Sequence, residues 1–158
     1  MKKFFIVLAL VMLVMAPVVA KEGFTVGLEA GQPSGITVGY QINDKINAYL
    51  TGGFGFGTIN YIDAAIGGQY KVFDFTVGTA NFDVLAGVQA GALFYLENTK
   101  GIALAARGTA AIAYNWTWGK LGDFTAYLRG GIGARFKLSG DVTTGLSWNA
   151  ALGCVYHF

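Results

Sequence analysis

From Phe24 onward the chain alternates. Taken at every second residue, eight segments carry no charge, no amide and no aliphatic hydroxyl: Phe24 to Ala30, Ile36 to Ile42, Ile46 to Phe56, Ile62 to Val72, Phe82 to Phe94, Ile102 to Trp116, Phe124 to Leu138 and Leu146 to Phe158. The positions between them hold Thr25, Glu29, Gln41, Asn47, Asp63, Gln69, Gln89, Arg107, Asn115, Thr125, Arg129, Asn149, His157 and many glycines. Side chains of a strand point alternately to opposite faces, so a period of two predicts eight β-strands. One face is wholly apolar and the other polar or small, which is the pattern of a barrel with lipid outside and a polar lumen inside. A soluble, lipocalin-like barrel would carry the reverse, an apolar interior under a polar exterior. The fold class read from the pattern is all-β: an eight-stranded antiparallel up-and-down transmembrane β-barrel.

Internal repeats give the same strand count. Tyrosine, polar, apolar recurs as Tyr40-Gln41-Ile42, Tyr70-Lys71-Val72, Tyr114-Asn115-Trp116 and Tyr156-His157-Phe158, each near the end of an even-numbered strand with the tyrosine on the apolar face. A tyrosine ring can sit in the apolar layer while its hydroxyl reaches headgroups or water, so Tyr40, Tyr70, Tyr114 and Tyr156 are read as an interfacial girdle. On the odd strands, Asn47 to Gly55 matches Thr125 to Gly133 nearly residue for residue, and Asp83 to Gly91 is a looser third copy in the same parity. The repeating unit is a hairpin, and four hairpins make eight strands.

Composition changes the picture at the N-terminus. The chain of 158 residues is 54% hydrophobic and only 13% charged, which by itself would suggest membrane helices of about 20 apolar residues. Only the N-terminal stretch comes close. Lys2 and Lys3, the apolar core Phe4 to Ala16, Pro17 and the Val18-Val19-Ala20 end read as a secretory signal peptide, Met1–Ala20, cut before Lys21. An uncleaved anchor would need a longer core. The remainder, Lys21–Phe158, is the barrel. Losing Lys2 and Lys3 leaves acidic and basic residues equal in number, and the basic clusters that electrostatic nucleic-acid binding needs are missing. Cys154 is the single cysteine and can make no internal disulfide.

The signal peptide, the even strand number and the last strand, Leu146 to Phe158 with its terminal Tyr-His-Phe, resemble the small eight-stranded outer-membrane barrels of diderm (Gram-negative) bacteria, the OmpA-like, OmpX-like and OmpW-like group. The resemblance covers the barrel as architecture. It implies an outer-membrane location and a monomer surrounded by outer-membrane lipid. It also implies delivery by periplasmic chaperones to the barrel-assembly machinery, with Tyr156 and Phe158 as the assembly signal. Both termini would then be periplasmic, with Asn43 to Lys45, Phe73 to Asn81 and Thr117 to Asp123 on that side and Gln32 to Gly35, Gly57 to Tyr61, Glu97 to Gly101 and Ser139 to Gly145 outside. External connections in such barrels are usually the long ones. Here they are short, which weakens an adhesin or receptor reading, and no soluble appendage is expected after the last strand.

Chemistry has to sit on the polar face. A hydrolytic enzyme would need a nucleophile with a base such as histidine, and His157, the only histidine, is the polar member of a repeat. No catalytic residue, metal-ligand cluster or cofactor is assigned. The inward charges are more informative: Glu29, Asp63, Asp83, Lys71, Arg107, Arg129, Arg135 and Lys137. Charges in a narrow lumen are costly unless paired or hydrated. Arg107 and Arg129 lie on one predicted hairpin at similar heights, with Glu29 and Asp83 as the partners near the middle and Asp63 nearer the outer rim. Such a network would plug an eight-stranded barrel, whose interior is just filled by side chains. The other reading is a narrow channel for water, ions or small solutes, favoured by inward glycines that leave volume unfilled. Structural membrane component and conduit are the two function classes that remain, with surface interaction a third.

Overall fold

A computed structural model describes residues 23–55, 60–96, 101–138 and 143–158. The predicted signal peptide, Phe56 and most of the connections expected on the outer side lie outside the described residues.

Eight strands follow one another in chain order: β1 (Phe24–Gln32), β2 (Ser34–Asn43), β3 (Ile46–Gly55), β4 (Tyr61–Val77), β5 (Ala80–Tyr95), β6 (Gly101–Thr117), β7 (Asp123–Lys137) and β8 (Thr143–His157). Each pairs antiparallel with the next, and β8 returns to β1 over Thr25↔His157 to Gln32↔Ala150, closing the barrel. Closure satisfies the ladder hydrogen bonds that an open edge strand would leave exposed. No helix among the described residues is long and apolar enough to cross a membrane.

The alternation expected from sequence is the alternation of burial. On β3 and β7, Leu50 and Leu128 are 56% and 60% exposed, whereas Tyr49 and Arg129 beside them are 7% and 4%. Such inverted burial, arginine inside and leucine outside, follows from the period of two. The start of β1, the end of β8 and the tight connections Asp44-Lys45, Gly78-Thr79 and Trp118–Gly122 lie at one end of the barrel, here the terminal end. The Asp44-Lys45 turn is held by Asn43, whose Oδ1 accepts the backbone N–H groups of Lys45 and Ile46 at 2.9 Å each.

One connection differs from expectation. Phe73 to Asn81, read from the sequence as a connection, is mostly strand. β4 pairs with β5 out to Val77↔Ala80, leaving only Gly78-Thr79 as the turn, with positive φ at Gly78. The cause is a register shift between Lys71 and Phe73. An extra residue at a β-bulge moves the alternation by one, so beyond it Phe73, Phe75 and Val77 face outward from odd positions. A strict period of two runs out at that point.

Candidate functional site

The lumen is built from inward side chains in layers. At the terminal end a chain of contacts crosses five consecutive strands. Lys71 Nζ lies 3.4 Å from Asp83 Oδ1, and Asn115 Nδ2 donates to Asp83 Oδ2 at 2.8 Å. Thr125 Oγ1 donates to Asn115 Oδ1 at 2.6 Å and lies 2.7 Å from His157 Nε2. With the Thr125 proton engaged, His157 Nε2 is the donor in that last contact. Lys71, Asn115 and His157 are the polar members of three Tyr-polar-apolar repeats, so each repeat sets an aromatic ring outside and a polar group at the lumen mouth.

These residues line a cavity of about 680 Å³ at the terminal end, together with Gln41, Asn43, Asp44, Lys45, Asn47 and Gln69 among others. Its lining reaches Tyr49, Tyr127 and Arg129; Glu29, Asp63 and Arg107 lie beyond it.

Those residues form the middle of the barrel. The Arg129 guanidinium pairs through Nη2 with Glu29 Oε1, and the Tyr127 hydroxyl donates to the same oxygen at 2.6 Å. The guanidinium carbon stands 4.2 Å from the centre of the Tyr49 ring and 5.4 Å from that of Tyr127. A desolvated cation over an aromatic face gains up to roughly 2 kcal/mol, so the two rings help to compensate the burial of this charge. Each tyrosine lies directly opposite a glycine on the next strand, Tyr49↔Gly67 and Tyr127↔Gly153, and a Cβ on either glycine would run into the ring. A ring laid over a glycine on the neighbouring strand pins register in barrels. Here it also places a ring where the inward glycine seemed to leave space.

The next layer surrounds Arg107. Its Nη2 pairs with Asp63 Oδ2 at 3.2 Å, Nη1 donates to Gln89 Oε1 at 3.0 Å and Nε donates to Ser147 Oγ at 2.8 Å. Asn149 Nδ2 donates to the same Gln89 oxygen at 2.8 Å. The Arg107 and Asp63 side chains are 2% and 1% exposed, so this is a buried ion pair completed by neutral acceptors. Toward the opposite end Arg135 Nη1 donates to the Tyr95 hydroxyl at 3.0 Å, above an apolar cluster of Leu93, Ala103 and Ala105 packed against Tyr61 and Tyr95. Lys137 is half-buried at that end of β7, opposite Ala103 and Thr143.

Three expectations about these charges are corrected. Arg107 and Arg129 are not level: β6–β7 register sets Gly133 opposite Arg107 and Ala111 opposite Arg129, an offset of four residues or roughly 13 Å along the strand. Asp63, near the outer end of β4 as expected, is the partner of Arg107 in place of Glu29 or Asp83, and Asp83 lies not in the middle but in the terminal-end ring with Lys71. Period-two parity names the face of a residue, but its height depends on strand stagger, which parity does not carry. Tyr49 and Tyr127 were missed as lumen residues. The signal was present, since both occupy the third position of the Asn47 to Gly55 and Thr125 to Gly133 repeats, at odd positions facing inward.

On the outside at the terminal end, rings contact one another from strand to strand: Phe75–Phe82, Phe82–Tyr114, Trp116–Phe124 and Phe124–Tyr156, with centroids 5.2 to 5.5 Å apart. Tyr40 and Tyr70 are 43% and 48% exposed on the same surface. Phe158 packs edge-on against Tyr156 at 4.8 Å, and its N–H donates to the Phe24 carbonyl at 3.0 Å.

No family model and no curated protein matches this chain. Among solved structures it is similar to the N-terminal β-barrel domain of Pseudomonas aeruginosa OprF, at 13% identity and a TM-score of 0.54, covering 87% of this chain and 98% of that one. The likeness is one of fold.

Proposed function

We propose that this chain is an integral outer-membrane β-barrel whose role is structural, with a lumen closed across its middle by ion-paired, ring-backed layers. The observation that carries the reading is the inverted burial: Leu50, Val88, Leu128 and Leu152 exposed on the outside of a closed barrel, with Glu29, Asp63, Arg107 and Arg129 buried within. In water that surface would be an aggregation liability; in lipid it is the favourable one. The fold likeness to an OprF barrel domain supports the location. The same reading makes the protein a monomer in outer-membrane lipid. It is inserted by the assembly machinery through Tyr156 and Phe158, with the terminal end toward the periplasm and Tyr40, Tyr70, Tyr114 and Tyr156 at that interface. Purified in detergent, the protein is expected to migrate differently on gels before and after boiling, because a closed barrel resists unfolding by detergent alone, and to co-sediment with outer membranes in cells. Helical circular dichroism, or a soluble periplasmic pool at native expression, would overturn the proposal.

A second reading, a narrow conduit for water, ions or small solutes, is favoured by the cavity of about 680 Å³ that enters from the terminal end. For solute to pass, the Arg129–Glu29 and Arg107–Asp63 layers would both have to open.

A further inference from the structure

The terminal end is lopsided. The β2–β3 turn closes beside Tyr70, which lies opposite Ile46, and the Lys71 N–H donates to the Lys45 carbonyl at 2.7 Å. Past Tyr70, β4 goes on to Val77. With one residue taken up by the bulge after Lys71, β4 advances about six steps, roughly 20 Å, beyond Tyr70; β6 keeps level with it, since Tyr114 lies opposite Phe82 and β6 runs on to Thr117.

This overhang is amphipathic. The bulge after Lys71 turns Phe73, Phe75 and Val77 outward, exposed by 54%, 38% and 61%, with Phe82 of β5 stacked on Phe75 at 5.3 Å. Asp74, Thr76, Asn81 and Asp83 occupy the alternate positions, and Thr76 Oγ1 donates to Asn81 Oδ1 at 2.8 Å. Two doors along, the β6–β7 connection adds Trp118 and Leu121, exposed by 62% and 61%. The neighbouring β2–β3 turn is instead Asp44-Lys45.

An exposed face of phenylalanine and valine beyond Tyr70 needs a cover. Phe75 and Phe82 continue directly into the ring ladder Tyr114, Trp116, Phe124, Tyr156, Phe158, so the face is one uninterrupted surface with the part assigned to lipid. Its rings differ in kind, however. Tyrosine and tryptophan carry a polar atom suited to the headgroup layer, whereas Phe73, Phe75 and Phe82 carry none and partition deeper.

We infer that the β4–β5 overhang is seated in the acyl layer of the membrane rather than standing in water, so that lipid reaches further along the barrel there than at the neighbouring, polar Asp44-Lys45 turn. Its partner is lipid. The bulge at Val72 then has a function: it re-aims the alternation so that the apolar face stays outward through the overhang. This inference rests on the membrane reading above.

The test is site-directed spin labelling of the full chain, refolded into phosphatidylethanolamine–phosphatidylglycerol vesicles, in a Cys154→Ser background because Cys154 is exposed. Single labels go at Phe75→Cys, Val77→Cys, Lys45→Cys and, as a mid-barrel reference, Leu128→Cys, each confirmed as folded by heat-modifiable migration. Collision with oxygen, which concentrates in lipid, is compared with collision with a water-soluble nickel chelate. The expected result is an oxygen-to-nickel ratio at Phe75 and Val77 several-fold above that at Lys45 and close to that at Leu128. If Phe75 and Val77 match Lys45 while Leu128 is lipid-like, the seating is wrong and the membrane reading stands. Spin–spin broadening at Phe75 and Val77, with both collision partners excluded, would assign the face to a second copy and also overturn it. If Leu128 itself is aqueous, the membrane reading falls and takes this inference with it.

Discussion

Arg129 shows how much each inward charge depends on its neighbours. A guanidinium out of water is tolerable when a carboxylate pairs with it and its face meets aromatic rings; Glu29 of β1 accepts from Nη2 and the rings of Tyr49 and Tyr127 cover the face, while Nε meets no acceptor among the described residues. Removing one partner of a buried pair leaves the other charge uncompensated. Arg129→Ala is therefore expected to cost about 3–5 kcal/mol, seen as a lower urea midpoint for protein folded in lipid vesicles. Replacing both Arg129 and Glu29 by leucine should recover part of that loss, since the desolvation cost leaves with the pair. An Arg129→Ala midpoint equal to wild type would mean that the pair is not closed in the membrane. Tyr127→Phe removes one hydrogen bond to Glu29 and should cost about 1 kcal/mol. The inward location of Arg107 and Arg129 is legible in the sequence from parity alone. Which acid each one meets is not, because that is set by stagger between strands far apart in the chain.

At the level of elements, strands are positioned by what lies across from them. Gly67 and Gly153 exist where Tyr49 and Tyr127 lie over the neighbouring backbone. Gly67→Val should cost about 1–3 kcal/mol through overpacking. Gly52→Val, on the outward face with nothing within 4 Å of its Cβ position, should be near neutral by the same urea measurement. Equal effects at both sites would deny the ring-over-glycine contact its role. Strand number, order and facing were readable because one apolar face repeats eight times. The end of β4 was not, since a single bulged residue at Val72 inverts the parity and makes strand look like loop. Phe158, last on the chain, joins the ring ladder and hydrogen-bonds Phe24, tying β8 to β1 at the seam. Deleting it is expected to lower the amount of folded barrel in outer membranes of cells; unchanged levels would contradict its assignment as an assembly signal.

For the molecule as a whole, the account makes the barrel a closed object: apolar outside, a polar vestibule entered from the terminal end, and two stacked ion-pair layers beyond it. Composition and parity locate such a chain in a membrane, but whether its lumen is filled depends on side-chain volumes meeting across eight strands, which only the assembled barrel displays. Tyr49 and Tyr127 supply much of that filling, and both stand on the polar face, where aromatic residues are easily passed over. The measurement that bears most directly on the closed lumen is ion conductance across a planar lipid bilayer holding the purified, folded protein. The account predicts no discrete current steps from the wild-type chain under a sustained potential. Reproducible steps whose size changes in Arg129→Ala or Glu29→Gln would show ions passing through the layer described here as shut, and would contradict it.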